Sequence, residues 1–158
     1  MPVIDIETAM QHLRAEDDDR TLVLVQLGAA EEMASQYMQR RFYADQAGLD
    51  AALAGVPIAI TSTRSSYDTA LAFAQSIVLI EDRQGAIARA AAAFADARAE
   101  VEMVANGKVI NDAIQAACLL ALGHLYANRE DVVTGTIATE LPMNSRWLLN
   151  PYRTGMGV

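Results

Sequence analysis

Two histidines and one cysteine are the side chains of this chain that could most readily do acid–base, nucleophilic or metal chemistry, and their spacing favours none of the three. Neither His12 nor His124 has a second histidine one helical turn away, as an HExxH zinc site requires. Glu31, Glu32 and Glu130 lack the histidine three residues later that di-iron helical bundles use. We therefore predict that the chain is not an enzyme and has no metal and no cofactor.

The surroundings of the cysteine and of His124 favour structural roles. Cys118 lies in an apolar stretch with nothing nearby to lower its pKa, so we predict a buried, unreactive thiol. His124 and Asn128 are four residues apart and share a helix face, which suits a hydrogen bond within a bundle. A small helical enzyme that uses His124 remains an alternative, and such an enzyme would have a concave pocket around that residue.

Nucleotide binding and nucleic-acid clamping are both disfavoured by the sequence. There is no GxGxxG or GxxxxGK[ST] phosphate loop and no GxSxG nucleophile elbow. The 158 residues include 12 basic and 20 acidic side chains, a net charge of −8, so the chain lacks the overall basic character that displaces counterions from phosphate. No apolar run is long enough to span a bilayer and no secretory signal is visible, so we expect a soluble, cytoplasmic product.

Helical periodicity runs through most of the chain, and we predict one mainly α domain over residues 1–158, a small helical bundle. Asp5 is a candidate N-cap for a first helix that ends near Arg14. A second helix is predicted from Thr21 to Phe42. Its apolar stripe consists of Val23, Leu27, Ala30, Ala34, Met38 and Phe42.

The middle of the chain predicts an antiparallel helical hairpin over residues 67–105. Residues 44–66 contain two glycines and a proline, so we expect irregular structure there, with a short extended piece at 57–61. Ser66 would cap the first hairpin helix, and residues 82–85 would form the turn. One continuous helix that includes Gly85 is the alternative, since a glycine inside a helix costs only ~1 kcal/mol.

The last third of the chain predicts a buried central helix followed by a short extended segment and a short helix. The central helix spans Ile110–Arg129 and is apolar on nearly all sides between Ala113 and Ala127. The extended or β segment covers Thr134–Leu141, and the short helix covers Met143–Leu149. Trp147 in that helix is either an exposed anchor for a protein partner or a cap on the core, and the sequence leaves these two readings equal.

Three ordered segments of the sequence resemble the head–tail connector (adaptor) proteins of tailed phages. The first is Asp5–Arg14 with the acidic run that follows it, and the second runs from Asn111 to Glu130 and ends in Tyr-x-Asn-Arg-Glu. The third is Glu140-Leu141-Pro142 followed by Trp147–Arg153. Together the matching regions cover about residues 3–44 and 108–154, and the hairpin between them looks like an insertion.

The resemblance implies a virion protein without enzymatic activity that assembles as a ring of its own copies, typically a dodecamer, below the portal. DNA would pass through the channel without specific binding, and the ring would link the portal to the stopper or tail at the head–tail interface, after assembly in the host cytoplasm. No membrane is implied. The interface candidates are Tyr126, Asn128, Arg129, Glu130, Trp147, Leu148, Leu149, Tyr152 and Arg153.

Charge and surface pattern add one hypothesis and leave one alternative function. We hypothesise that an acidic cluster, Glu16–Asp19 or Glu130-Asp131, faces the channel, where like charge would discourage DNA from sticking. The alternative is a non-enzymatic helical binding module that forms a small oligomer, with the 67–105 hairpin as its interface.

Overall fold

Six helices and one pair of very short strands make up the residues that this computed structural model describes, 2–128 and 143–154. The mainly α prediction is confirmed. The helices are α1 (Ile6–Leu13), α2 (Arg20–Met38), α3 (Gln46–Ser76), α4 (Ile80–Ala105), α5 (Asp112–Ala127) and α6 (Met143–Leu149). The strands are β1 (Phe42–Tyr43) and β2 (Lys108–Val109), and 3₁₀ turns lie at Asp17–Asp19 and Asn150–Tyr152.

The hydrophobic core lies between α1, α2, α5 and α6. The predicted stripe on α2 is confirmed for five of its six residues, which are buried on the helix, whereas the sixth, Phe42, is buried but lies beyond the end of α2. The expectation of a central helix is also confirmed, since α5 buries Ile114, Ala117, Cys118, Ala121 and Leu122. A helix with buried residues on several sides has neighbours on several sides, and α5 packs against the other three helices of the core.

The ends of the first two helices follow from local chemistry. Asp5 is the N-cap of α1, as predicted, and its carboxylate accepts a hydrogen bond from the Thr8 N–H at 3.2 Å. The second helix stops at Met38 instead of Phe42, because Gln39 adopts a left-handed conformation with φ of 55°. Phe42 therefore reaches the core from a strand and not from the helix.

The two strands close the base of the hairpin. They pair in parallel, with Phe42 opposite Lys108 and Tyr43 opposite Val109. The chain leaves the core through β1, forms the hairpin and returns through β2. Gly107 is required at this junction, because a Cβ there would lie 2.8 Å from the Val104 carbonyl oxygen and 2.9 Å from Leu49.

The hairpin is longer than predicted and its turn lies elsewhere. The first helix already begins at Gln46, so the expected irregular segment 44–66 and the extended piece at 57–61 are wrong, and Ser66 lies inside the helix. The turn is formed by residues 77–79, and Gly85 lies inside α4. Gly55 and Pro57 have low helix propensity, but packing can override propensity. Here α3 continues through both residues because it packs along α4.

A few specific contacts hold the hairpin together and fix it to the core. The Tyr67 and Phe94 rings stack with their centroids 4.7 Å apart. The Arg41 guanidinium bridges the Glu32 carboxylate on α2 and the Glu100 carboxylate on α4, the second at 2.7 Å. The Arg41 N–H also donates to the Met103 carbonyl at 3.0 Å, so core and hairpin are joined by backbone and side chain together.

The predicted helix at 143–149 is confirmed as α6, whereas the predicted segment Thr134–Leu141 lies outside the described residues. Within the described part of the chain, no helix combines the length and apolar character needed to cross a bilayer.

Candidate functional site: an exposed face at the C-terminal helix

The C-terminal helix α6 is anchored to the core on one side. Leu149 is fully buried and Leu148 is half-buried against the core. Ser145 is also fully buried. A helix of seven residues is too short to be stable alone, so this packing is what holds α6 in place. Because its side chain has no accessible surface, Leu149 is a core residue here and offers nothing to a partner.

The opposite side of α6 presents an apolar face to solvent, formed by Met143 and Trp147. Their side chains are 71% and 69% exposed, and they are four residues apart, one helical turn. We call this pair the α6 face. Of the two readings that the sequence left equal, the exposure of Trp147 favours the anchor, because a residue that capped the core would be covered.

The segment after α6 is fastened to the C-terminal end of α2. The Tyr37 hydroxyl donates to the Asn150 side-chain oxygen at 2.6 Å, and the Arg153 guanidinium lies 4.7 Å from the centre of the Tyr37 ring. The Thr154 N–H donates to the Met38 carbonyl at 3.0 Å. These contacts between residues more than 110 positions apart attach the segment after α6, and with it the end of α6, to the bundle.

A second aromatic candidate, Tyr152, contributes to the same attachment of the C-terminal segment. Its ring is half-buried and packs against the core, and the Lys108 ammonium lies 5.4 Å from the ring centre. Tyr152 therefore links the base of the hairpin to the C-terminal segment. Arg153 is exposed and keeps free surface in addition to its contact with Tyr37.

The end of α5 brings together residues that the sequence treated separately. The Tyr126 hydroxyl donates to the Asp19 carboxylate in the acidic run. The Asn128 side-chain amide donates to the His124 carbonyl at 2.8 Å and so ends the helix. Tyr126 and Asn128 thus stabilise this end of the bundle. Arg129 and Glu130 lie outside the described residues.

Glu31 is a contact residue that the sequence pattern did not identify. Its carboxylate is buried and accepts hydrogen bonds from the Val3 N–H and the Ile4 N–H, at 2.8 to 2.9 Å. Burial raises the pKa of Glu31, and the two backbone donors offset part of that shift. The only available signal was its place beside Ala30, at the edge of the apolar stripe on α2.

Cys118 and His124, two of the side chains that the sequence singled out as candidates for chemistry, lie in different surroundings, one buried and the other exposed. Burial raises the pKa of Cys118 to about 12, with the nearby Glu31 charge as the smaller cause, so the thiol stays protonated. Among the described residues, no group of three or more His, Cys, Asp or Glu side chains could hold a metal ion. His124 is exposed, with a ring nitrogen 3.3 Å from the Asn128 amide.

Comparison of the chain with protein-family models, curated proteins and solved structures finds no match in any of the three.

Proposed function

We propose that this protein is a head–tail connector subunit of a tailed phage or prophage. Its copies form a ring, typically of about a dozen subunits, below the portal, and the ring passes DNA through its channel and links the portal to the stopper or tail. The subunit works by binding proteins and performs no catalysis. The three ordered sequence segments suggest this role.

The observation that carries the proposal is the α6 face. Trp147 is 69% exposed, yet its helix is held by the buried Leu149 on one side and by the Tyr37–Asn150 hydrogen bond on the other. A large aromatic side chain has few rotatable bonds and loses little conformational freedom when it binds, which is typical of an interface anchor. We therefore propose that Trp147 docks into an apolar pocket of the portal, with Met143 beside it.

Charge supports the passage of DNA through a channel that does not grip it. Glu16, Asp17 and Asp18 are exposed next to Asp19, which accepts the Tyr126 hydroxyl. We propose that these three carboxylates face the channel, where like charge repels phosphate. A ring structure that placed them on its outer wall would refute this part of the proposal.

Mass photometry of the purified protein, alone and mixed with the portal protein encoded beside it, tests the proposal. We expect a closed ring or a defined complex with the portal. Trp147→Ala should weaken portal binding at least tenfold, about 1.4 kcal/mol, while leaving thermal stability unchanged. Ile58→Ala is the matched control, because Ile58 is equally exposed at 74% but lies on the hairpin.

Three results would overturn the proposal or its proposed anchor. A stable oligomer that ignores the portal would refute the connector function. Equal loss of portal binding in the Trp147 and Ile58 variants would show that the effect is not specific to the α6 face. Lost solubility with unchanged portal binding would remove Trp147 from the interface.

A second candidate function, a helical binding module that forms a small oligomer, is favoured by the exposed apolar residues of the hairpin. Ile58, Phe73 and Val78 are 74%, 71% and 88% exposed. Deletion of residues 46–105 distinguishes the two, since the paired strands bring the ends of the hairpin together. A binding module would lose its partner on deletion, whereas a connector would keep its portal contact through α6.

A further inference from the structure

Three cationic side chains lie at the junction of the end of α2, the base of the hairpin and the segment after α6. We call them the basic cluster, and they are Arg40, Lys108 and Arg153. The Lys108 N–H donates to the carbonyl of Arg41, the residue after Arg40, at 3.0 Å. The segment of Arg153 reaches the same end of α2 through the Thr154 N–H. Tertiary contacts thus bring together cations that are far apart in the sequence.

Two members of the cluster lie over aromatic rings. The Arg153 guanidinium lies 4.7 Å from the centre of the Tyr37 ring, and the Lys108 ammonium lies 5.4 Å from the centre of the Tyr152 ring. A ring attracts a cation through its face and does not take up all of its N–H donors. These two cations are therefore positioned by the fold and still have donors for a partner.

The third member, Arg40, also has donors that the fold does not use. Its guanidinium donates to the Asn106 carbonyl at 3.2 Å, which is one bond for a group with five N–H donors. Its Nε–H is buried and meets no acceptor among the described residues. A buried donor without an acceptor is unfavourable. An anion bound beside this guanidinium would supply acceptors that the fold does not.

The carboxylates of the surrounding elements do not pair with the cluster. Among the described residues, no carboxylate oxygen lies within 4.0 Å of a cationic nitrogen of its three members. The acidic residues on the elements packed around it are Glu32, Asp45, Asp50, Glu100, Glu102 and Asp112. Four of these accept hydrogen bonds from other groups, two of them from Arg41. The cluster therefore offers positive charge at contact distance, without a strong positive field at long range.

The basic cluster adjoins the α6 face. Trp147 and Asn150 are three residues apart, which is the spacing of neighbours on one side of a helical turn. The Asn150 side-chain oxygen accepts the Tyr37 hydroxyl at 2.6 Å, and Arg153 lies over the Tyr37 ring. The sequence from 143 to 154 contains no acidic residue. An exposed apolar pair is thus bordered by cations and not by carboxylates of its own segment.

This arrangement fits a protein segment that presents apolar side chains with carboxylates beside them. An arginine can bind a carboxylate through two parallel N–H···O bonds, which gives both strength and direction. An apolar centre with a polar rim is the usual anatomy of a protein interface. We propose that the basic cluster binds the carboxylates of an acidic segment of a partner protein, whose apolar side chains cover Met143 and Trp147.

The phosphates of a nucleic acid fit the cluster less well. Non-specific binding to nucleic acid depends on the number of phosphates that cations contact, and strong binders make about 6–10 such contacts. Three cations supply too few, in a chain whose net charge of −8 repels a polyanion. An acidic protein segment needs only two or three carboxylates, because its apolar contact with the α6 face adds to the binding.

The inference deepens the proposed connector function and rests on it only for the identity of the partner. If the α6 face docks on the portal, the portal segment that receives Trp147 carries Asp or Glu beside an apolar pocket. The cluster would then select the partner, because a segment with basic residues at the same places would meet like charge.

A pair of peptides tests the cluster without the portal. Trp147 is the single tryptophan of the chain, so a change in tryptophan fluorescence reports binding at the α6 face. The probe is the peptide acetyl-Glu-Glu-Leu-Phe-Glu-Glu-amide, and the comparison peptide has lysine in place of each glutamate. A thymidine pentanucleotide, which carries the same net charge as the probe, represents phosphate. We expect only the acidic peptide to bind, and its affinity should fall as salt is raised.

Variants at the exposed Arg153 separate charge from structure. Arg153→Gln removes the charge and should weaken binding of the acidic peptide about tenfold, whereas Arg153→Lys keeps the charge and most of the affinity. Arg89→Gln is the matched control, because Arg89 is also exposed but lies on α4 of the hairpin. Because Arg153 contacts Tyr37, the melting temperature of each variant is measured too. A purely structural role would leave the salt dependence of peptide binding unchanged.

The inference is overturned if the acidic peptide does not bind, if the oligonucleotide binds as tightly, or if Arg153→Gln binds the peptide like the wild type. Should Arg153→Gln fail to fold, Lys108→Gln replaces it. Failure of this inference differs from failure of the connector proposal. Portal binding that depends on neither salt nor Arg153 removes only the role of the cluster. A chain that binds the acidic peptide but ignores the portal loses only the connector function.

Discussion

Removal of the buried Glu31 carboxylate should destabilise the fold and change how stability depends on pH. The carboxylate lies on α2 and holds the segment before α1 through the Val3 and Ile4 N–H groups, at 2.8 to 2.9 Å. Glu31→Ala leaves both donors without their partner. Each unsatisfied buried donor costs about 1–3 kcal/mol, so the loss is about 2–6 kcal/mol before any compensation.

Relief of desolvation offsets part of that loss. Burial raises the pKa of Glu31, which means that the fold disfavours the charged form even though two backbone N–H groups donate hydrogen bonds to it. We therefore expect Glu31→Ala to lower the free energy of unfolding by about 2–4 kcal/mol. At about 2–4 °C per kcal/mol for a chain of this length, the melting temperature should fall by roughly 4–16 °C.

Glu31→Gln removes the ionisable group of residue 31 but keeps a side-chain oxygen that can accept its hydrogen bonds. The amide oxygen still accepts from the backbone, so we expect a smaller loss than for alanine. The folded pKa of Glu31 lies above its unfolded value of 4.5, so its protonation stabilises the fold fully below pH 4.5. That stabilisation is lost as the pH rises through the folded pKa. Glutamine cannot titrate and lacks this dependence.

Urea unfolding of the wild type and Glu31→Gln at a series of pH values between 4 and 7 measures the effect. The difference between the two proteins isolates Glu31, because both retain every other titrating group. Glu32, whose pKa is lowered by Gln36 and Arg41, is one of these shared groups. The stability of the wild type relative to Glu31→Gln should fall as pH rises. A pH-independent difference, or a loss below 0.5 kcal/mol in Glu31→Ala, would refute the reasoning.

Three further predictions concern the core and the hairpin base. Leu149→Ala should lower the free energy of unfolding by about 2–5 kcal/mol in urea titrations, because Leu149 is fully buried; a loss under 1 kcal/mol would contradict that burial. Gly107→Ala should cost about 1–3 kcal/mol in the same assay, since its Cβ would lie 2.8 Å from a backbone oxygen; an unchanged midpoint would argue against this packing. Cys118, whose pKa burial raises to about 12, should react with a thiol reagent at pH 8 only as fast as the protein opens; immediate labelling of the folded protein would contradict its burial.

Local pattern was sufficient to predict the helices of the core. In α1, α2 and α5 the apolar residues recur every three or four positions, and neighbours at that spacing meet within one helix. The N-cap Asp5 acts on a donor three residues away, so it too was predictable from the sequence. The mainly α class follows from such short-range signals.

The same local rules failed at the hairpin because they were overridden by packing. Gly55 and Pro57 are breaking signals in isolation, yet α3 runs through both and packs along α4. The real turn at 77–79 consists of apolar residues, which no turn rule selects. Each of these outcomes depends on a partner helix that a local pattern does not contain.

The binding surfaces were decided by tertiary structure for the same reason. Trp147 and Leu149 are two positions apart and both apolar, but one is 69% exposed and the other fully buried. That difference arises because α6 is docked by contacts such as Tyr37 with Asn150, 113 residues apart, which fix the side of the helix that meets the core. Periodicity determines which residues share a face, and only long-range packing determines whether that face is covered or remains free for a partner.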